Sequence, residues 1–406
     1  MSKTSKLGAL GVVALILITV VLRPPVASIG PLLYEIVSDL QLDSVLTGIL
    51  ASAPVFCFGV GAFASPWLVK RFGVNHAMFI VLAVLAGAIL LRLSFGYVGL
   101  LAGTIAAGLS IAVANVLLPT VVRLAFPKAV PLVTGSYTTL LALSASFAAW
   151  VAVPSSEALG GWRNALLIWA LPAVLAAILW FPKTRGQEPH VPQGAQAAAA
   201  EKRAVLRSPI AWSIVGFFGI QSLGFYAVLG WLPSILISIG LSPAEAGSYL
   251  GLATAIGIPS GLLLAPFIGR FKSLAWWVAG TSSLTTIGYA LLAWVIWQSL
   301  QPTWALLDQQ GLLLACVFIG VGQAATFPLA LSLISTRAST TAQTTQLSAM
   351  SQGWGYLLAA AGTFAVGVIG ASSGGWLAGV VVLGCLTVMQ IAIGFYSGRP
   401  GLIAAK

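Results

Sequence analysis

Apolar stretches of about 20 residues follow one another along almost the whole chain, and only short polar intervals separate them. A stretch of that length crosses the hydrocarbon core of a bilayer when it is an α-helix. Only 7% of the 406 residues are charged and 59% are hydrophobic, whereas a soluble domain carries about 25% charged residues. The sequence therefore predicts an all-α integral membrane protein with many spans.

We predict twelve transmembrane helices. The N-terminal stretch resembles a signal peptide, but no small-residue cleavage site precedes Arg23, and the apolar pattern continues to about Val37. This pattern favours a first spanning helix. The predicted spans are approximately 8–37, 45–69, 77–94, 98–126, 132–153, 164–181, 209–238, 245–268, 275–297, 309–335, 345–370 and 375–396.

The distribution of basic residues predicts the orientation, because cytoplasmic loops hold the excess of lysine and arginine. With the N-terminus inside, sixteen of the 19 basic residues fall on the cytoplasmic side. Arg92 and Arg163 fall outside, and Arg23 lies within a span. We therefore expect a multi-pass protein of the cell (inner) membrane with both termini in the cytoplasm.

The longest polar interval divides the twelve spans into six and six. It contains proline, glycine and an alanine run, so it is typical of a linker with a short surface helix. We predict an N-terminal six-helix bundle at 1–182, a linker at 183–208 and a C-terminal bundle at 209–406. A weak repeat supports two related halves: the matched pairs are Leu42 with Leu241, Gly48 with Gly247, Arg71 with Arg270, and, at a later offset, Gly108 with Gly322 and Arg123 with Arg337. Two repeated bundles with a site between them are typical of transporters.

Several functional classes lack the residues that they need. The net charge of +11 accompanies no nucleic-acid motif, and the three cysteines have no metal-ligand or redox spacing. No histidine and no acidic residue lies in the middle of a predicted span, so a catalytic site inside the membrane cannot be assembled. We expect neither an enzyme nor a metal or other cofactor.

Arg23 lies near the centre of the first span, in "VVLRPPVASIG". A buried arginine costs about 2.5 to 3.5 kcal/mol on insertion scales and needs a partner or a cavity. In one hypothesis it bonds the carbonyls of Val20 and Val21, which lose their donors to Pro24 and Pro25. In the other, the prolines kink the helix and direct Arg23 into a central cavity, where it binds an anionic or electron-rich planar solute.

Other polar side chains at a similar depth are candidates for the same cavity, because amides and hydroxyls can complete the coordination of a bound solute. The alternative is that they only bond neighbouring helices. With Arg23, the predicted substrate-binding residues are Asn115, Gln221, Ser222, Tyr226, Gln323, Gln352 and Tyr356. The predicted gating residues, at the cytoplasmic ends of spans, are Arg71, Arg123, Arg270 and Arg337.

The twelve spans and "GAFASPWLVKRFG" resemble the major facilitator superfamily, which carries G-x-L-A-D-R-x-G-R-R between its second and third helices. Arg71, Phe72 and Gly73 match this motif, but its aspartate is missing. The phrases "LRPPVASIGPLL", "NVLLPTVVRLAFP", "GGWRNALLIWA", "GFYAVLGWLP" and "RASTTAQTTQLSAMSQGWGYLLAA" resemble the cyanate and 2-nitroimidazole transporter group. The resemblance implies the major facilitator fold and a solute transporter, without a gate built on the missing aspartate.

The leading hypothesis is a transporter that works by alternating access, with Arg23 as the main anchor for a small anionic or electron-rich planar solute. The alternative is an exporter of nitrogen heterocycles or drugs, and a sensor or scaffold that transports nothing is a third class. The expected partners are the solute and the lipid bilayer, with no nucleic acid, and we expect a monomer. Because no group in the middle of a span titrates, any proton coupling would depend on the solute being a weak acid.

Overall fold

The computed structural model describes residues 9–185, 195–257, 259–260, 273–300, 308–372 and 375–403. These residues form helices and no β-strand, as the apolar pattern predicts. The helices are α1 Ala9–Val21, α2 Pro24–Ala27, α3 Ile29–Leu40, α4 Ser44–Ala62, α5 Ser65–Leu91, α6 Gly96–Ala125, α7 Val130–Leu159, α8 Trp162–Leu167, α9 Ala170–Trp180, α10 Ala195–Arg207, α11 Pro209–Ser238, α12 Pro243–Ala255, α13 Ala275–Ser299, α14 Asp308–Arg337, α15 Thr341–Ser372 and α16 Leu377–Gly398.

Ten segments of the described chain are long and apolar enough to cross a membrane. The two other predicted spans coincide with α4 and with α12, and part of the second of these spans falls outside the described residues. The all-α class and the predicted order of spans are therefore confirmed. We call α1–α9 the N-terminal bundle and α11–α16 the C-terminal bundle.

The helix α10 contains the alanine run of the linker, so the predicted short helix is confirmed. Its Val205 is buried, and its Glu201 accepts a hydrogen bond of 3.0 Å from Thr340 at the start of α15. We use α10 to name the two sides of the molecule. The linker face is the side on which α10 lies and on which α6 ends, and the far face is the opposite side.

The first span is interrupted at Leu22 and Arg23, between α1 and α2. Pro24 and Pro25 have no N–H group, so the helix cannot continue its hydrogen-bond ladder through them. Beyond the break, the carbonyl of Arg23 accepts bonds from the N–H groups of Val26 and Ala27, at 3.1 and 2.9 Å. The predicted kink is thus a break in the helix, and Arg23 is the last residue before the chain turns helical again.

A second interruption lies within α5, at Gly73 of the motif shared with the superfamily. Gly73 has φ +76° and ψ +166°, a conformation that a residue without a side chain adopts readily. It separates a short helix on the linker face, Ser65 to Phe72, from the spanning part of α5. The loop predicted between the second and third spans is therefore mostly helical.

The two bundles meet in the half of the membrane nearest the linker face. The α4 glycine Gly59 lies against Leu357 of α15, where a Cβ atom would come within 2.8 Å of the leucine side chain. Closer to the linker face, Ala62, Val116 and Ala349 form a small buried cluster between the bundles. Thr120 and Thr345 share a hydrogen bond of 3.0 Å across the same interface. The described contacts therefore close the linker face.

On the far face, acidic residues of α3 bind the end of α7 and the start of α8. Glu35 accepts hydrogen bonds from the Ser156 hydroxyl at 2.6 Å and from the Trp162 N–H at 2.9 Å. Asp39 accepts from the Trp162 ring nitrogen at 3.1 Å and pairs with Arg163 at 2.7 Å. The hydrogen bonds from Trp162 and Arg163 hold the pKa of the Asp39 carboxyl below its usual value. These contacts attach the far end of the first span to the N-terminal bundle.

Candidate functional site

Arg23 lies at the interface of the bundles and extends toward the C-terminal bundle. Its guanidinium lies close enough to the hydroxyls of Tyr226 on α11 and Tyr356 on α15 to interact with them electrostatically. Arg23 and Tyr226 are partly exposed, whereas Tyr356 is buried, with 3% of its surface exposed. The arginine predicted as a solute anchor and both predicted tyrosines therefore meet at one place.

Aromatic rings from both bundles surround Tyr356. The ring of Phe218 lies 5.3 Å from that of Tyr356, the ring of Phe58 5.7 Å and the ring of Tyr226 6.3 Å, measured between centroids. These distances are typical of tilted and edge-on aromatic pairs. The phenol that contacts Arg23 is therefore fixed by its ring neighbours.

The sequence "GWGY" explains how Tyr356 can lie so close to these rings. A Cβ atom at Gly355 would come within 2.5 Å of Phe218, and one at Gly353 would come within 2.5 Å of Phe63 in the opposite bundle. Trp354, between the two glycines, packs against Phe63 with 5.6 Å between ring centroids. The two glycines thus allow α15 to lie close to α11 in its own bundle and to Phe63 in the N-terminal bundle, next to Tyr356.

The predicted amides of the C-terminal bundle form a buried pair. Gln221 donates from Nε2 to Oε1 of Gln323 at 3.3 Å, and the Ser222 hydroxyl donates to Oε1 of Gln221 at 3.3 Å. Gly224 gives Gln323 its space, because a Cβ atom there would lie 2.4 Å from the Gln323 amide nitrogen. Tyr289 completes the group with a hydrogen bond of 3.1 Å to the Gly224 carbonyl. Gln221, Ser222 and Gln323 are therefore bonded to one another, away from the contact that Arg23 makes with the two tyrosines.

Asn115 and Gln352 meet across the bundle interface. Gln352 donates from Nε2 to the main-chain carbonyl of Asn115 at 3.2 Å and to the hydroxyl of Ser348 at 2.8 Å. The side-chain amide nitrogen of Asn115 is buried and has no hydrogen-bond partner among the described residues. Asn115 therefore contributes a carbonyl to the interface and keeps a free donor inside the protein.

The four predicted gating residues have different surroundings. Arg123 donates to the carbonyls of Ser335, Ala338 and Ser339 at the end of α14, across the bundle interface. Arg337, its counterpart in the repeat, donates to the carbonyls of Ser397 and Gly398 at the end of α16, within its own bundle. Arg71 is exposed on the linker face, and Arg270 lies outside the described residues. Of the three gating candidates that the structure describes, only Arg123 binds across the two bundles.

The sequence prediction missed one buried cation. Arg92 was predicted only as a cation on the outer side of the membrane; in the structure it is buried, with 1% of its surface exposed, and it donates to the carbonyl of Pro25 at 2.6 Å. The prediction also omitted Tyr137, a buried phenol that interacts electrostatically with Tyr356. The burial of Arg92 has no signal in the sequence, because an arginine at the end of a span usually lies in an exposed loop.

Ten described segments that can cross a membrane make this a multi-pass membrane protein. The family model of the Major Facilitator Superfamily matches residues 15–363. The chain therefore belongs to the major facilitator superfamily, as its motifs predict.

Relatives and a solved structure agree with this family. The chain is 33% identical to the 2-nitroimidazole transporter of Escherichia coli (strain K12) over 96% of this chain and 95% of the relative. It is 28% identical to the cyanate transport protein CynX of the same organism, over 89% of this chain and 90% of the relative. The fold is similar to that of the transporter FucP in its outward conformation, with a TM-score of 0.73, 13% identity, and coverage of 96% of this chain and 99% of FucP.

Proposed function

We propose that this protein moves a small anionic or electron-rich planar solute across the cell membrane by alternating access, and that Arg23 is its main electrostatic anchor. The contact of Arg23 with Tyr226 and Tyr356 carries this proposal. Because the arginine belongs to one bundle and the phenols belong to the other, a solute bound here contacts both bundles. Solute binding can therefore shift the equilibrium between the two relative positions of the bundles that alternating access requires.

The groups at this site favour a solute that accepts hydrogen bonds. An arginine has only donors, so a phenol oxygen beside it can act only as an acceptor toward it, which leaves the phenol O–H group free to donate. The buried hydroxyl of Tyr137, which interacts with Tyr356, is a further donor without a partner among the described residues, and the buried amide nitrogen of Asn115 is another at the bundle interface. Hydrogen-bond donors around a positive charge bind acceptor groups such as cyanate, a carboxylate or a nitro group better than they bind a solute N–H group, which is itself a donor.

The aromatic rings give this site a shape preference. The rings of Tyr226, Phe218 and Phe58 pack around Tyr356 beside the guanidinium. A planar solute can stack on a ring while its acceptor atoms bind Arg23. The preferred solute is therefore small and planar, and the relatives named for cyanate and 2-nitroimidazole transport both suggest probes of this kind.

No acidic residue or histidine is placed by the sequence in the middle of a span. A proton-coupled transporter of a fully ionised solute needs such a group. We therefore propose that proton coupling, where it exists, occurs through a weakly acidic solute, and that exchange and facilitated diffusion are the other modes. A proton current that accompanies an anion which never protonates would contradict this proposal.

A thermal-shift panel on the detergent-purified protein tests the solute class. Cyanate, other small anions and nitrogen heterocycles are added to the wild-type protein and to Arg23→Ala. A solute present at about 100 times its dissociation constant stabilises the folded protein by about 2.7 kcal/mol. We expect a rise in melting temperature with planar anions for the wild type only. Equal shifts in both proteins would exclude Arg23 as the anchor.

The alternative function is export of nitrogen heterocycles or drugs, which the aromatic rings and the 2-nitroimidazole relative favour. Growth of a deletion strain on cyanate and on 2-nitroimidazole distinguishes the directions. Loss of an exporter makes its solute more toxic, whereas loss of an importer makes it less toxic.

The phenol hydroxyls at Arg23 provide a further prediction. Tyr226→Phe and Tyr356→Phe keep the rings and remove one donor each, so each change should weaken solute binding by roughly ten-fold, the effect of losing a hydrogen bond to a charged group. Titration of the purified protein with the best solute of the panel measures the dissociation constant. Tyr396→Phe, at an exposed position on α16, is the matched control and should bind as the wild type does. Unchanged affinity in both site variants would remove the phenols from the site.

A further inference from the structure

Arg92 is a buried cation that the proposed transport function does not use. Only 1% of its surface is exposed, at the end of α5. Its Nη1 atom donates to the main-chain carbonyl of Pro25 at 2.6 Å. In the part of the chain that the structure describes, its Nε and Nη2 atoms are buried without a hydrogen-bond partner. One carbonyl is therefore its main polar contact.

Stability alone does not account for an arginine at this position. A buried charge has a large desolvation cost, and an apolar side chain of similar volume usually gives a fold that is equally or more stable. Two of the three guanidinium nitrogens recover none of that cost through hydrogen bonds. The hydrogen bond to the Pro25 carbonyl is therefore the contact that can explain an arginine here.

Pro25 belongs to α2, which has four residues and follows directly on Arg23. The N–H groups of Val26 and Ala27 bond the carbonyl of Arg23 at 3.1 and 2.9 Å, so the main chain of Arg23 moves with α2. The break before α2 removes the hydrogen bonds that would otherwise align it with α1. The orientation of α2 therefore determines the direction of the Arg23 side chain.

Arg92 connects α2 to a rigid part of the N-terminal bundle. At Gly103 of α6, a Cβ atom would come within 2.7 Å of Cγ of Arg92 and within 2.5 Å of the Ala88 carbonyl. The close approach of α5 and α6 at this glycine leaves space for the stem of Arg92. The guanidinium thus reaches Pro25 from a packed helix pair.

We propose that Arg92 is a positioning residue for Arg23: by binding the Pro25 carbonyl, it holds α2 so that Arg23 meets Tyr226 and Tyr356. The inference deepens the proposed function and rests on it for the role in solute binding. The position of Arg23 itself can be measured without any solute. Failure of one proposal is therefore distinguishable from failure of the other.

The first experiment observes the two tyrosines directly. The eight tyrosines are replaced biosynthetically by 3-fluorotyrosine in the purified full-length protein, and the ¹⁹F signals of Tyr226 and Tyr356 are assigned with the corresponding phenylalanine variants. Arg23→Met gives the shifts that follow from loss of the Arg23 contact. Arg92→Met should move the same two signals in the same direction, and Arg92→Lys, which keeps a cation near the carbonyl, should restore them at least in part.

The matched control is Arg337→Met, at another buried arginine that binds main-chain carbonyls. It should leave both signals unchanged. Wild-type signals in folded Arg92→Met would overturn the proposal, as would equal shifts in the control. Arg92→Gln, which keeps a polar group in the same space, replaces Arg92→Met in the test if that variant does not fold.

The second experiment measures binding of cyanate and 2-nitroimidazole to the same variants. Where the wild type binds a probe, Arg92→Met should raise its dissociation constant roughly ten-fold, with Arg92→Lys closer to the wild type. Where the wild type binds neither probe, the solute class is wrong, and the ¹⁹F result still decides the role of Arg92. Wild-type affinity in Arg92→Met together with shifted tyrosine signals would support the positioning of Arg23 and would overturn its role in solute binding.

Discussion

Arg23→Lys is expected to reduce solute transport by roughly 10- to 100-fold while the protein stays folded. The lysine keeps the positive charge, but its ammonium group is a single compact donor, whereas the guanidinium is a planar fork with five N–H groups. One ammonium cannot bond both phenols and a solute in the same geometry. Loss of one hydrogen bond to a charged group costs about 1.5 to 3 kcal/mol. That cost corresponds to the expected decrease of roughly 10- to 100-fold in transport.

The measurement is initial uptake into proteoliposomes, with the solute that gives the largest thermal shift in the panel. Arg163→Lys is the control, because Arg163 lies on the far face, pairs with Asp39 and is well exposed. An exposed pair contributes about 0.2 to 1 kcal/mol, so the control should transport within a few-fold of the wild type. Normal transport by Arg23→Lys would show that charge alone suffices and that the fork geometry has no role.

The sequence was sufficient to predict the class of fold and the central position of Arg23. Both depend on local quantities: the length of apolar stretches, and the rarity of charge within them. The break at Leu22 and Arg23 also follows from two adjacent prolines. These predictions needed no knowledge of which helices pack together.

The partners of Arg23 could not be predicted in the same way. Tyr226 and Tyr356 were two of seven further candidates of similar depth, and the sequence does not state which face of each helix meets the first span. In the structure, Gln221 and Gln323 bond each other, whereas the two phenols reach Arg23. The role of Arg92 depends on its burial and on its bond to Pro25, neither of which the sequence shows, because a position at the end of a span is also typical of an exposed loop.

The repeat also misled in one respect. Arg123 and Arg337 stand at matched positions, and both bind the carbonyls at the end of a helix, where the helix dipole favours cations. The helix that each one binds differs: α14 of the opposite bundle for Arg123, and α16 of the same bundle for Arg337. Equivalent sequence positions thus have different relations to the bundle interface, which predicts different effects of the same substitution.

Arg123→Gln is expected to open the linker face. The wild-type guanidinium donates to three carbonyls across the interface, and those contacts must break when the bundles separate on that side. Their loss should shift the equilibrium between closed and open states by about 2 kcal/mol, since water partly replaces the lost bonds. That change is roughly a 30-fold increase in the ratio of open to closed protein.

Alkylation of a cysteine at Ala349 measures this equilibrium in a variant without the native Cys57, Cys316 and Cys385. Ala349 is buried between the bundles, with 3% of its surface exposed, so N-ethylmaleimide reaches it only when the linker face opens. Arg337→Gln is the matched control: its lost bonds lie within one bundle, so it should lower the melting temperature and leave the labelling rate close to that of the parent.

Equal acceleration of labelling in both variants would mean general loosening of the fold. No acceleration in Arg123→Gln would mean that other contacts hold the linker face closed. A rise confined to Arg123→Gln is expected, because a cation at the carbonyl end of a helix in the opposite bundle can take the place of the aspartate gate that this chain lacks.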